Sequence, residues 1–310
     1  MRLLYLTFFA IIFSTTACFK NSEEFVPNSD LGDVENLLNL LNGYKNSALI
    51  NAEEKNLVVG PNDVVIEIPA SVLIYGDGKN VRGSVVMEYH VDTRFATSIV
   101  NGRETTSGND DVKSYFTLSF KFKQGENEVF LNPQSQGLTA FVPYTENSDI
   151  NTSKLYFWKN NVWETTIDGA NLGGISTGSW NLDTENGTIF GIGYKANLKS
   201  VGQFMVGQAK AKSDNIELCV NLPDNYSDKN TIAVAVLPNE KMVRKLSFKN
   251  GKFCSNDIAR GGFVKVITLS EQNGNYFLGE TSYKSSGNVV LTLVPKQKTV
   301  DEIWNLINEI

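Results

Sequence analysis

Phe116-Thr117-Leu118-Ser119-Phe120-Lys121-Phe122 is the stretch whose reading decides the fold. Apolar and polar side chains alternate along it, which is the period of a strand with one face in a core and the other outside it. The alternation recurs upstream. Val64, Ile66 and Ile68 take turns with Val65 and Glu67 until Pro69 ends the run, and Val85, Met87, Tyr89 and Val91 take turns with Val86, Glu88 and His90. Downstream, apolar runs at 129–131, 138–142 and 155–158 continue the series, and Asn160-Asn161 between Trp158 and Val162-Trp163 reads as a hairpin. No helical pattern of any length interrupts these runs. Strands so closely spaced, with no crossover helices, pair mostly antiparallel. Residues 46–210 are therefore predicted to form a β-sandwich. Within them, 168–188 are rich in Gly, Ser, Thr and Asn and read as a long loop or an inter-domain stretch, while 190–207 show only enough pattern to complete the same domain.

A second β module is predicted over 211–297, with strands at 216–222, 231–237, 243–248, 252–254, 263–269, 276–280 and 289–294. Asn250-Gly251 between Phe248 and Phe253 is its strongest hairpin signal, because both residues tolerate positive φ. About seven strands in some eighty residues is an immunoglobulin-like count. Short helices bracket the two modules. Val34, Leu37, Leu38 and Leu41 fall at helical spacing before Gly43 within segment 18–45. In 298–310, Thr299 and Glu302 form a capping box ahead of an apolar face of Val300, Ile303, Trp304 and Ile307. That face is expected to pack on a β domain, with partner docking as the alternative. The fold class read from the sequence is all-β: a β-sandwich domain and an Ig-like β-sandwich domain, with short N-terminal and C-terminal helices.

The chain has 310 residues, with 28 Lys and Arg against 34 Asp and Glu, a net charge of −6. An acidic chain with no basic run has no electrostatic means of gripping nucleic acid. Its 41% hydrophobic content is that of a folded protein rather than a disordered one.

The first residues specify a processing event. Arg2 is followed by a nearly unbroken apolar run over 3–13, then by Ser14-Thr15-Thr16-Ala17 and Cys18. Basic, apolar and small segments in that order make a secretory signal. The apolar run is shorter than the roughly twenty residues a transmembrane helix needs. Thr15-Thr16-Ala17-Cys18 resembles a lipobox, with Thr15 in place of the usual Leu. Residues 1–17 are thus expected to be a lipoprotein signal peptide, and Cys18 the lipidated first residue of a membrane tether carrying palmitate-type acyl chains. Phe19 rather than Asp follows the cysteine, which leans towards the outer membrane; Lys20 with Glu23-Glu24 loosely resembles a surface-export signal. A periplasmic and a surface-facing location both stay open.

Gly60-Pro61-Asn62-Asp63-Val64-Val65-Ile66-Glu67-Ile68-Pro69-Ala70, then Gly76-Asp77-Gly78 and Val81-Arg82-Gly83-Ser84-Val85-Val86, resemble the ZU5-like β-sandwich domain of Bacteroidota envelope lipoproteins. Phe253-Cys254 and Tyr276-Phe277-Leu278-Gly279 resemble the Ig-like module that follows it in such proteins. The resemblance covers about 46–295 and rests on turns and strand ends, so it implies fold more than function. Some ZU5-containing proteins cleave themselves at a His-Phe-Ser tripeptide, which this chain lacks.

Candidates for chemistry are few. His90 is the only histidine, and with Glu88 it reads as a solvent-facing polar pair on its strand. One His and two distant Cys fall short of a zinc site, so no metal, cofactor or catalytic set is predicted. Cys219 and Cys254 are either a disulfide or two separate thiols. Asn109-Asp110-Asp111 lacks the spacing of a calcium loop and reads as solvated. The long polar segment 92–110 that leads into it is the first place to look for a partner site. Trp158 and Trp163 either pack a core or stack on sugar rings. The expected function is a non-enzymatic, membrane-anchored structural or protein-interaction module meeting an envelope protein; the alternative is a cell-surface glycan-binding lipoprotein.

Overall fold

The structure is a computed structural model, and it describes residues 32–310 except 44, 144–151, 168–169, 172, 185–186 and 213. Cys18, the signal peptide and the start of the tether lie outside the described residues. The fold is all-β, in sandwich-like layers, with short helices near both ends and one internal helix.

The first sandwich stacks two sheets. The larger, of nine strands, runs in the order Asn46–Asn51, Ser84–Asp92, Asp110–Gln124, Gly202–Lys210, Ser153–Lys159, Val162–Glu164, with three short strands off that path. The smaller, of five strands, runs Gly173–Thr184, Gly187–Leu198, Leu138–Pro143, Val65–Ile68, Asn56–Val59. Phe116, Leu118, Phe120 and Phe122 all point into the space between them and meet Ile66, Ala140, Tyr194, Ala196 and Leu198 in one core. Burying each such side chain stabilises by about 1.5–3 kcal/mol. The alternation breaks once, at a bulge: Val206 faces Phe116 but Gly207 faces Ser114, leaving Tyr115 extra. The bulge moves Val112 to the opposite face from Phe116, where it joins Tyr156, Trp163 and Met205.

Residues 168–188 differ from the loop expected of them. Gly173–Thr184 is a twelve-residue strand paired along its whole length with Gly187–Leu198. It is an edge strand, half-exposed on both faces, so its sequence needs little apolar alternation. Trp180 lies across Gly191, where a Cβ would meet the indole at 2.5 Å.

The second sandwich crosses its strands in Greek-key fashion. Asn215–Asn221 pairs with Lys252–Ala259, and Thr231–Leu237 pairs with Phe263–Gln272. These are the pairings of the two layers of an Ig-like domain. Met242–Lys249 joins the layers, because its first half pairs with Thr231–Leu237 and its last residues pair with Lys252–Ala259. Asn250 and Gly251 turn that hairpin with φ of 50° and 76°.

Three helices cover one face of this second sandwich: α1 (Val34–Asn42), α2 (Ala96–Val100) and α3 (Val300–Glu309). Asp33 caps α1 by accepting from the Glu35 amide at 2.9 Å, and Thr299 and Glu302 close the capping box of α3. Leu37 and Leu41 of α1, Ile99 of α2, and Ile303 and Ile307 of α3 pack on Val234, Val236, Ile267 and Leu269. Helix α2 carries no signal in the sequence, being too short for a period to develop. Asp92 sets it by accepting from the amides of Arg94 at 2.8 Å and Thr97 at 2.6 Å.

Segment 92–110 thus has a partner within the chain, since its helix is buried on the second sandwich. Thr105 continues the junction: its amide donates to the Val243 carbonyl and its hydroxyl accepts from the Val243 amide, each at 3.0 Å. Asp111, expected in a solvated loop, is buried and lies 2.6 Å from the Arg244 guanidinium of the other domain. The reading of Asn109-Asp110-Asp111 as solvated is corrected on this point. Asp110 stays outside, and its neighbour turns inward because strand alternation puts the two on opposite faces.

Candidate functional site

Where the helices arch over the nine-stranded sheet they leave a polar cavity of about 270 Å³. Its floor is a row across three adjacent strands. His90 lies opposite Ser119, and Ser119 lies opposite Gln203. Asn42 of α1, Thr97 of α2 and Trp304 of α3 close over this row, with Asn101 just beyond α2. His90 is therefore not solvent-facing as the strand pattern suggests. It is half-buried, with its ring edge-to-face with Trp304 at 5.9 Å between centroids. Glu88, one step along the same face, is drawn instead to Lys121 at 2.9 Å. The outward face of this strand is a polar interior surface because the helices roof it, which one strand's pattern cannot reveal.

The walls are cationic. Arg103 lines the cavity and also a neighbouring hollow of about 510 Å³, where its guanidinium sits over the Trp158 ring at 4.7 Å. Burial pushes the Arg103 guanidinium down to about 10, and no acidic partner among the described residues raises it again. Its Nη1 is buried and meets no hydrogen-bond acceptor among the described residues. Lys45 lines the same cavity. Its ammonium is held below the usual lysine range, first by burial and then by repulsion from Lys121, with Arg103 adding to it and Glu88 opposing. The hydroxyl of Thr97, which also lines the cavity, is a second buried polar atom without a hydrogen-bond partner among the described residues. A buried polar group costs free energy unless it is paired, and a buried charge costs more. Two such groups around one cavity make it the best place in the described structure for a polar ligand.

The residues singled out in the sequence lie around this site rather than in it. Trp163 is buried, and its indole N–H donates to the Glu104 carbonyl at 3.0 Å, so it offers no ring to a sugar. Trp158 is half-buried, packs edge-on against Trp163 at 5.1 Å, and presents one wall of the hollow beside Arg103. Cys219 and Cys254 face each other across neighbouring strands of the second sandwich and form a disulfide. That bond uses both thiols of the one group of Glu217, Cys219 and Cys254 that could otherwise hold a metal among the described residues. Sequence reasoning missed Arg103 and Lys45. Each stands in a short polar segment with no local pattern, and only the docking of α1 and α2 brings them to one cavity. No helix among the described residues is long and apolar enough to cross a membrane. In comparison with known proteins, no family model matches the chain and no curated protein matches it.

Proposed function

We propose that the protein is a membrane-anchored envelope lipoprotein, held through Cys18, that serves as a protein-interaction module rather than an enzyme. Lipidation at Cys18 is the one covalent event its sequence specifies, and a ZU5-like domain followed by an Ig-like domain suits a tethered binding unit. The observation that carries the interaction reading is the hairpin of Gly173–Thr184 and Gly187–Leu198. Tyr194, Ala196 and Leu198 bury one face of its second strand, and Ile192 and Phe190 continue that face outward at 53% and 69% exposure. The neighbouring edge strand, Gly-Gly-Ile-Ser-Thr-Gly-Ser-Trp-Asn-Leu-Asp-Thr, carries a single charge, at Asp183, and neither Lys nor Pro. Edge strands are ordinarily guarded by such residues, and an unguarded edge is a template for adding a strand. The partner that fits is an extended, uncharged segment of another envelope protein, pairing with the edge and laying apolar side chains on Ile192 and Phe190.

A photo-crosslinking residue at Ser179, which lies opposite Ile192 in the hairpin, tests this in intact cells. One discrete adduct that disappears with Ile192→Asp is expected. An adduct at twice the chain's own mass, or none at all, contradicts the reading.

The glycan-binding alternative loses Trp163, which is buried, and keeps only Trp158 beside its hollow.

A further inference from the structure

We infer that the cavity between the nine-stranded sheet and the three helices binds a small sugar acid, with its carboxylate received by Arg103 and Lys45. This site is separate from the hairpin and does not depend on it.

The chemistry of the walls selects the ligand. Arg103 and Lys45 make no ion pair with any described residue, although the chain as a whole is acidic. Among the described residues, the only carboxylate that bears on Lys45 is Glu88, which is already bound to Lys121. Two cations converging without a paired counter-charge among the described residues call for an anion, and a planar guanidinium suits a carboxylate. Beside the apolar Leu41, Ala96 and Val100, the remaining lining offers Asn42, Asn101, Ser119 and Gln203 with the orphaned Thr97 hydroxyl; Asn42 and Asn101 bond to each other at 3.4 Å and Asn101 donates to the Thr97 carbonyl at 2.7 Å, which leaves each amide further capacity toward a ligand. Such a set suits a ligand with several hydroxyl groups rather than a hydrocarbon acid. Trp304 supplies an apolar ring on one side, as the C–H face of a sugar requires. The cavity of about 270 Å³ lies at the small end of ligand sites, which limits the occupant to a single ring. An inorganic anion satisfies the cations but makes no use of the apolar ring of Trp304.

Isothermal titration of the purified full-length chain in detergent tests the inference, with D-glucuronate, D-glucose and inorganic phosphate as probes. Glucuronate is expected to bind, and glucose and phosphate to bind at least about tenfold more weakly, the worth of one charge-assisted hydrogen bond or more. Lys45→Gln, at a solvent-exposed residue, and Arg103→Gln are each expected to weaken glucuronate by about tenfold or more while near-UV circular dichroism stays unchanged. Lys45→Gln keeps the test decisive if Arg103→Gln disturbs the fold. Absence of glucuronate binding, equal binding of glucose, phosphate binding as tight as glucuronate, or wild-type affinity in Lys45→Gln overturns it.

Discussion

The Arg244 guanidinium and the Asp111 carboxylate, 2.6 Å apart and each almost wholly buried, form an ion pair across the junction of the two sandwiches. Arg244 also donates to the backbone carbonyls of Asp257 and Val243, so its charge is held from several sides. Removing one partner of such a pair leaves the other charge buried alone. Asp111→Asn or Arg244→Met is expected to lower stability by about 3–5 kcal/mol in urea unfolding. The double variant Asp111→Leu with Arg244→Met is expected to lose less than either single one, because no uncompensated charge remains. A double loss equal to the sum of the singles contradicts a direct coupling.

Arg103 is expected to behave in the opposite way. Burial holds its guanidinium at about 10, well below the usual arginine range, so the folded chain releases this proton before the unfolded chain does. Between that value and the usual range the unfolded state binds more protons, and this residue makes stability rise with pH; below it the buried charge lowers stability in full. The contact with Trp158 offsets only part of that, since an exposed cation–π pair contributes about 0.5–1 kcal/mol. Arg103→Gln should therefore be at least as stable as wild type near neutral pH, with the difference shrinking as pH rises through the window. Urea unfolding at two pH values measures this. A destabilised Arg103→Gln would make the residue a structural one.

Phe190 and Ile192 make little contact with the rest of the fold. Replacing both with Ser is expected to leave stability within about 0.5 kcal/mol, as for surface positions generally. The Ser179 crosslink should nevertheless disappear, so partner capture and stability separate in one pair of measurements.

The Cys219–Cys254 disulfide closes a loop across a sequence separation of 35. Loop-closure entropy assigns such a bridge about 3–4 kcal/mol. Cys219→Ala with Cys254→Ala is expected to lower the urea midpoint accordingly, and reductant to shift wild type but not the double variant. Glucuronate affinity should not change, because the bridge lies in the second sandwich away from the cavity.

The fold class was legible wherever a strand buries one face and wets the other, as at Phe116 to Phe122. It was not legible in Gly173–Thr184, where an edge strand exposes both faces and its composition looks like a loop. Helix α2 escaped because five residues show no period, and its formation depends on Asp92 and on burial against the second sandwich. The candidate cavity was the least legible part. His90 was visible as the lone histidine, yet its surroundings come from α1, α2 and α3, which are far apart in the chain. Arg103 draws its meaning from Trp158 and from the lack of a counter-charge among the described residues, and both are facts of tertiary structure. The two tryptophans stood out in sequence for their rings, but Trp163 spends its ring and N–H on packing and on Glu104.

Anchoring at Cys18 is the claim on which the rest of the functional account depends. Metabolic labelling with an alkyne fatty acid, followed by membrane fractionation of cells carrying wild type or Cys18→Ala, tests it most directly. The account predicts that wild type takes up the label and sediments with membranes, and that Cys18→Ala does neither. A Cys18→Ala chain that still labels and still sediments with membranes contradicts it.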